Sequence, residues 1–305
     1  MIDFALKYSH GNRDIIEQAV KAYFIDLHHK KGGHDKDFKI DFKAKSSGSQ
    51  AGVIASVTYA GGSTTFYVKT HWTGLATSYT PDIPPPDLKE IFIYEFLNNI
   101  DVCPEVHFVL PYAGTGNKAI YIATQSIPDF DDIYRFDKIN PQGNTVPQIL
   151  VQIHTLACLL RLSDLHKKNC GFVGNDLKIV DFTIGNDIVR EKNIQCADPE
   201  GNVIATLENF FYHGKSGPAL GTVASDNSEY ENVYKQINQH DRRRFAKEAL
   251  AKWNVLENVK DAAKSTNDFR EKMKFAGVEF FAADFEEYQE EIKANYNILS
   301  NMLQY

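Results

Sequence analysis

Apolar and polar positions divide the chain into segments of different period. From Asn12 to about His29, the residues Ile15, Ile16, Val20, Tyr23, Phe24 and Leu27 recur at the spacing of an amphipathic helix. His28-His29-Lys30-Lys31-Gly32-Gly33-His34-Asp35 then breaks the stripe. From Phe38 the period drops to two. Phe38, Ile40, Phe42 and Ala44 alternate with charged residues, and two runs rich in β-branched side chains follow, Val53 to Tyr59 and Thr64 to Lys69. Ala60-Gly61-Gly62-Ser63 predicts a hairpin turn between those runs. Thr73 to Pro86 is a proline-rich linker. Asp87 to Leu97 reads as a helix with Asp87 as its N-cap, and Val106–Leu110 and Ala119–Thr124 read as two more strands.

Beyond Gln125 the pattern is mostly helical. Leu150, Ile153, Leu156, Ala157 and Leu160 mark a buried helix. Phe172–Val173 and Leu177–Val180, joined at Gly174-Asn175-Asp176, predict a short hairpin. Gly185 to Ser228 is irregular and rich in Gly, Asn and Asp. Several helices are expected from Glu229 to Leu303, the last with Phe285, Tyr288, Ile292, Tyr296 and Leu299 on one stripe. Strands first and helices afterwards make an α+β chain.

Composition narrows the function classes. At 305 residues the chain can bury one large core or two modest ones, and 43% hydrophobic with 24% charged residues is ordinary for a folded protein. A net charge of −7 argues against a general nucleic-acid-binding surface. Cys103, Cys158, Cys170 and Cys196 show neither a CxxC pair nor metal-site spacing, so they read as reduced thiols in a cytoplasmic setting. No apolar N-terminal stretch suggests a signal peptide, and no segment reaches the ~20 apolar residues of a transmembrane span.

Candidate chemistry concentrates in Ser163-Asp164-Leu165-His166-Lys167-Lys168-Asn169, followed by Asp181-Phe182. Asp164 can orient or deprotonate an attacking hydroxyl, while Asn169 and Asp181 supply oxygen ligands suited to Mg²⁺ on nucleotide phosphates. His166 can hold the loop by hydrogen bonds or help position a phosphate. Upstream, Lys69 ends a strand and can neutralise the α- and β-phosphates, although an edge-strand lysine facing solvent fits the same pattern. Glu90 and Glu95 follow on one helix. They point about 140° apart, so only one can pair with Lys69, and the other is expected to be solvated. Ser46 to Gly52, with Gly48, Ser49, Gln50 and Gly52, is a small-residue loop able to close over phosphates. Two further features have ordinary explanations. His28, His29 and His34 could bind a metal, but a solvated basic loop accounts for them. Arg242-Arg243-Arg244 could take a polyanionic activator or an anionic lipid head group, but a solvated helix face accounts for it.

With these residues in order, the chain resembles the atypical branches of the protein-kinase-like superfamily. The Asp-x-His-x-x-Asn form of Asp164, His166 and Asn169 is similar to that of HipA-type bacterial kinases, phosphoinositide kinases, and aminoglycoside and choline phosphotransferases. Lys89-Glu90-Ile91 through Val102-Cys103-Pro104-Glu105-Val106 also resembles the helix-then-strand of the HipA-type group. The resemblance covers roughly Phe38 to Gly185. It implies a bilobal kinase-like fold with a small β-rich N-lobe and a mostly helical C-lobe. Residues 1–35 would be a helical extension, 36–126 the N-lobe and 127–305 the C-lobe. It favours Glu90 as the partner of Lys69 and makes Gln125-Ser126-Ile127 the hinge that holds adenine. The implied cofactors are ATP and Mg²⁺. The implied substrate is a protein hydroxyl, with a phospholipid, inositol or small-molecule acceptor as the alternative, and a non-catalytic binding module as a third reading. Two departures stand out: Thr183 replaces the usual glycine after Asp181-Phe182, and no Ala-Pro-Glu motif follows Gly185. Phe285-Glu286-Glu287-Tyr288-Gln289-Glu290-Glu291 is similar to the secretion signals of some bacterial effectors translocated into host cells.

Overall fold

The structure is a computed structural model, and the residues described are 12–45, 52–59, 61–71, 84–112, 119–132, 145–163, 165, 169–184 and 236–304. The chain divides into two compact units. One comprises Met1–Glu95, Pro104–Ile127 and Lys264–Ala283; the other comprises Phe96–Cys103, Pro128–Ala263 and Asp284–Tyr305. Residues 264–283 thus group with the strands near the start of the chain, although the helical pattern around them predicts no such return.

The first unit is built on a five-stranded antiparallel sheet. Its strands are β1 (Lys39–Ala44), β2 (Gly52–Tyr59), β3 (Gly62–Thr70), β4 (Val106–Val109) and β5 (Tyr121–Gln125), in the order β1-β2-β3-β5-β4. Tyr59 pairs with Gly62 and Thr58 with Ser63, so the connection is two residues shorter than the sequence pattern predicts. Alternation puts Val53, Ala55, Val57, Phe66, Val68, Tyr121 and Ala123 on one face. Against it lie Ile16, Ala19, Val20 and Phe24 of helix α1 (Asn12–Lys30), all in one buried core. The amphipathic stripe of α1 is thereby consumed by the sheet. A polar latch secures the same helix: Tyr23 Oη lies 3.0 Å from His107 Nδ1, and His107 Nε2 lies 3.2 Å from Glu105 Oε1. Burial pushes the Tyr23 hydroxyl up to about 12, so it stays protonated and able to donate to the ring.

Helix α2 (Leu88–Asn99) starts at Asp87, whose Oδ1 accepts the Lys89 N–H at 2.8 Å, satisfying one of the orphan donors of the first turn.

The second unit centres on α3 (Thr145–Leu160), whose Val146, Ile149, Leu150, Val151, Ile153, Leu156, Leu159 and Leu160 are all buried. A helix apolar all round needs neighbours on several sides. These include α4 (Gln239–Trp253), with Phe245, Ala246, Ala249, Leu250 and Trp253 buried, and α6 (Phe285–Met302). Between them in sequence runs α5 (Val255–Phe275). The unit also holds short antiparallel ladders. β6 (Asp131–Asp132) pairs with β8 (Cys170–Val173), which pairs with β9 (Asp176–Ile179), and β7 (Leu162–Ser163) pairs with β10 (Thr183–Ile184).

The expected apolar stripe of α6 gains one member. Its buried positions are Phe285, Tyr288, Ile292, Asn295 and Leu299, with Tyr296 half-buried beside them. The spacing 3-4-3-4 selects Asn295, a polar residue that a search for apolar positions passes over. Among the described residues no helix is long and apolar enough to cross a membrane.

Candidate functional site

In the first unit, Lys69 sits on β3, with β2 on one side and β5 on the other. It is 8% exposed, which excludes the reading of a solvent-facing edge lysine. A buried ammonium is costly unless it is paired. Two residues of α2 meet that need: Glu90 Oε1 lies 3.9 Å from Lys69 Nζ, and the Tyr94 ring centroid lies 5.3 Å from it. Glu90 and Tyr94 are four residues apart and share a helix face. That spacing is the signal by which Tyr94, which no motif marks, could have been found.

Glu95 is not the solvated residue that the sequence suggests. It is half-buried, and burial raises its carboxyl above the ordinary range, with Lys272 pulling it back down.

Gly52 pairs directly with Lys69 across the β2–β3 ladder. A Cβ there would stand 2.0 Å from the Val68 carbonyl oxygen, so only glycine lets the strands approach. The small-residue loop therefore leads into the strand opposite Lys69; Gly48, Ser49 and Gln50 lie outside the described residues. Gln125 ends β5, with Ile127 two residues beyond it. Their course is fixed by Gln125 N–H on Glu105 O at 2.8 Å and Ser126 N–H on Thr65 O at 2.7 Å.

In the second unit, the β8–β9 hairpin turns at Gly174-Asn175, where Gly174 takes the left-handed conformation (φ 60°). The ladder pairs Cys170 with Ile179, and one step further the Val180 N–H donates to the Asn169 carbonyl at 2.8 Å. Asn169 is thereby set beside the run leading into Asp181. Both residues are half-buried, and Asp181 Oδ1 accepts the Phe182 N–H at 3.1 Å. The β7–β10 ladder pairs Ser163 with Thr183. Thr183 thus occupies a strand. The two ends of the string Ser163–Asn169 that the sequence singles out are thus each joined by main-chain pairing to the run around Asp181-Phe182. Asp164 and His166 lie outside the described residues.

Two sets of contacts that the sequence does not reveal support this half. The hairpin is anchored by Ile179 N–H on Val102 O at 2.7 Å and by Lys178 Nζ on Asp101 Oδ1 at 2.6 Å. The end of α3 is held by α6. The Tyr288 hydroxyl donates to Leu160 O at 2.5 Å, and Asn295 Nδ2 reaches Leu159 O at 3.2 Å and Cys158 O at 3.4 Å. Glu291 pairs with Arg161, the residue that leaves the helix at φ 51°. The last carbonyls of a helix have no partner within it, so these side chains fix the chain just before Leu162-Ser163. The block expected to resemble a secretion signal is thus part of a packed helix.

The triple arginine is corrected in both of its readings. Arg242 is 5% exposed and donates to Ile237 O. Arg243 reaches Met302 O at 3.4 Å, and Arg244 pairs with Asp241 at 3.0 Å and Glu248 at 3.3 Å. Consecutive helical positions point about 100° apart, so the three form neither a shared basic rim nor a freely solvated face.

No family model matches the sequence, and no curated protein does. Among solved structures, WaaP in complex with acyl carrier protein is 13% identical, with 81% of this chain and 96% of that chain covered and a TM-score of 0.35. A superposition that loose carries no argument about fold or activity.

Proposed function

We propose that the chain is an ATP- and Mg²⁺-dependent phosphotransferase of bilobal, protein-kinase-like build that acts on protein serine or threonine hydroxyls. The observation that carries this reading is the double main-chain pairing, Ser163 with Thr183 and Asn169 with Val180. It brings the segment ending at Ser163 and the segment starting at Asn169 beside the run through Asp181, which supports the reading. The buried Lys69–Glu90 pair is independent support, because a lysine burdened with desolvation and held by a carboxylate is what phosphate neutralisation requires.

Asn169 and Asp181 offer an amide oxygen and a carboxylate on adjoining segments, a donor set that fits a hard cation and leaves room for phosphate oxygens. Bound MgATP would supply the transferable phosphoryl group and the metal charge that offsets its oxygens. This chain's own residues would do the rest. Lys69 would hold the α- and β-phosphates, with Glu90 keeping its ammonium in place. Gly48, Ser49, Gln50 and Gly52 would offer main-chain N–H groups from the loop above, and Gln125 and Ile127 would border the base. Asp164 would orient the acceptor hydroxyl and take its proton, and His166 would steady the loop. A phospholipid, inositol or small-molecule acceptor is the second reading, and Arg242, Arg243 and Arg244 lend it no shared basic rim.

The test is transfer from γ-labelled ATP with Mg²⁺ to the protein itself and to a panel of Ser/Thr peptides, beside Asp164→Ala. Label on wild type that is lost in the variant is expected. Equal labelling by both would remove Asp164 from its role, and none with wild type, on peptides or inositol phosphates, would remove the phosphotransferase reading.

A further inference from the structure

Residues from the C-terminal third return to the sheet unit and end on the helix that carries Glu90. The Phe281 N–H donates to Pro86 O at 2.8 Å, the Leu88 N–H donates to Phe281 O at 3.1 Å, and Asp87 and Phe281 form a parallel bridge. These bonds fix the main chain immediately before the first turn of α2, two residues from Glu90. A second line of contacts runs from α5. The Phe269 ring packs on Phe108 at 5.3 Å, Phe108 on Tyr94 at 6.3 Å, and Tyr94 lies under the Lys69 ammonium. Lys272 of the same helix acts on Glu95. Both partners of the Lys69–Glu90 pair are therefore braced from residues 269–281, by main chain on the Glu90 side and by a run of tilted and edge-on rings on the Lys69 side.

We infer that the segment from Phe269 to Phe281 is a positioning element that sets the Lys69–Glu90 pair, with the Phe281 main chain as its clamp; this rests on the phosphotransferase reading. At 3.9 Å the pair is at the outer limit of direct contact, so a small shift of the start of α2 would open it. Residues 269–281 act through Glu90 and Tyr94.

The experiment compares Phe281→Pro, which removes the N–H that Pro86 accepts, with Phe281→Ala, which keeps it and loses only a ring that is 45% exposed. Phe281→Pro is expected to lower kcat for phosphoryl transfer about tenfold or more, and Phe281→Ala to stay within about twofold of wild type. In a Glu90→Gln background the proline is expected to cause no further loss, because the contact it controls is already gone. Exchange of the Leu88 amide should also quicken in Phe281→Pro, a readout independent of activity. Equal kinetics of the proline and alanine variants, or the same loss in both backgrounds, would overturn the clamp. Should Phe281→Pro not fold, Phe269→Leu is put through the same kind of cycle against Tyr94→Leu. A loss confined to the Tyr94 background is then expected, and an equal loss in both backgrounds would overturn the positioning role. Inactive wild-type protein would instead sink the underlying reading, whereas active wild type with an unaffected proline variant sinks the clamp alone.

Discussion

Lys69 and Glu90 stand twenty-one residues apart in sequence and meet only because a central strand and the following helix pack together, with bracing from residues 269–281. Asn169 and Asp181 are twelve residues apart and are joined by one hairpin whose turn, Gly174-Asn175, is written in the chain between them. The first pair is a product of tertiary packing, the second of local backbone chemistry. The contrast bears on vulnerability. A change far away in sequence can open the Lys69–Glu90 pair, whereas the Asn169–Asp181 arrangement should survive anything that leaves its ladder and the anchor at Asp101–Val102 intact.

The largest expected effect tests the local pair. Asp181→Ala should lower phosphoryl transfer by about 10²–10³-fold, as measured by initial rates, since it removes the carboxylate proposed to hold Mg²⁺. Its melting temperature should barely move, because the side chain is half-buried at the end of a strand and the ladder keeps its main chain. A large drop in melting temperature would show that Asp181 holds the fold instead.

Next in size is the support behind α3. Asn295→Leu keeps the volume but withdraws the donor from the Leu159 and Cys158 carbonyls, at a site only 4% exposed. A loss of about 1–3 kcal/mol in denaturant unfolding is expected from leaving those groups unsatisfied. If stability were unchanged, the end of α3 would not depend on α6.

Acid should also discriminate between the two units. His154 on α3 is 1% exposed, and burial drives its pKa down to about 3. The unfolded chain therefore binds a proton near pH 6.5 that the folded chain refuses. Stability attributable to this residue is complete above pH 6.5 and falls by about 1.4 kcal/mol per pH unit below it, until the folded group itself titrates. His71 and His107 in the sheet unit are also lowered, chiefly by burial, but main-chain carbonyls and Glu105 respectively oppose that shift. A His154→Leu variant should flatten the pH dependence of unfolding in the acid range more than His107→Gln does; the reverse ranking would mean the sheet unit is the acid-labile one.

The smallest effect separates the two glutamates of α2. Glu95 already has a carboxyl raised by burial, so Glu95→Gln removes an ionisable group that gains little from being charged. Stability should stay within about 0.5 kcal/mol of wild type and phosphoryl transfer should hold, in contrast to Glu90→Gln. A kinetic loss as large as that of Glu90→Gln would mean that the pairing at Lys69 was assigned to the wrong residue.

How far each feature was legible follows the same contrast. Strand alternation, the Asp87 cap, the β8–β9 hairpin and the buried α3 depend on neighbours within a few positions, and the periods display them. The central place of Lys69 depends on strand order, which no period encodes. Tyr94 is an aromatic residue in an apolar helix, and only its four-residue spacing from Glu90 marks it. Asn295 is a polar member of the buried stripe of α6, and a search for apolar positions passes it over. Arg242, Arg243 and Arg244 read as one patch because sequence shows adjacency, while a helix turns each to a different neighbour. The return of residues 264–283 leaves no local trace, because it is written in contacts with residues far away in sequence, such as Pro86, Leu88 and Phe108.

The most direct measurement is a thermal-shift titration with ATP, with and without Mg²⁺, on wild type, Asp181→Ala and Lys69→Met. Wild type should be stabilised by ATP strongly when Mg²⁺ is present; Asp181→Ala should lose the metal-dependent part, and Lys69→Met should lose most of the response under either condition. A wild-type melting curve that MgATP leaves unmoved, or a metal-dependent shift that persists undiminished in Asp181→Ala, would contradict the proposed nucleotide site.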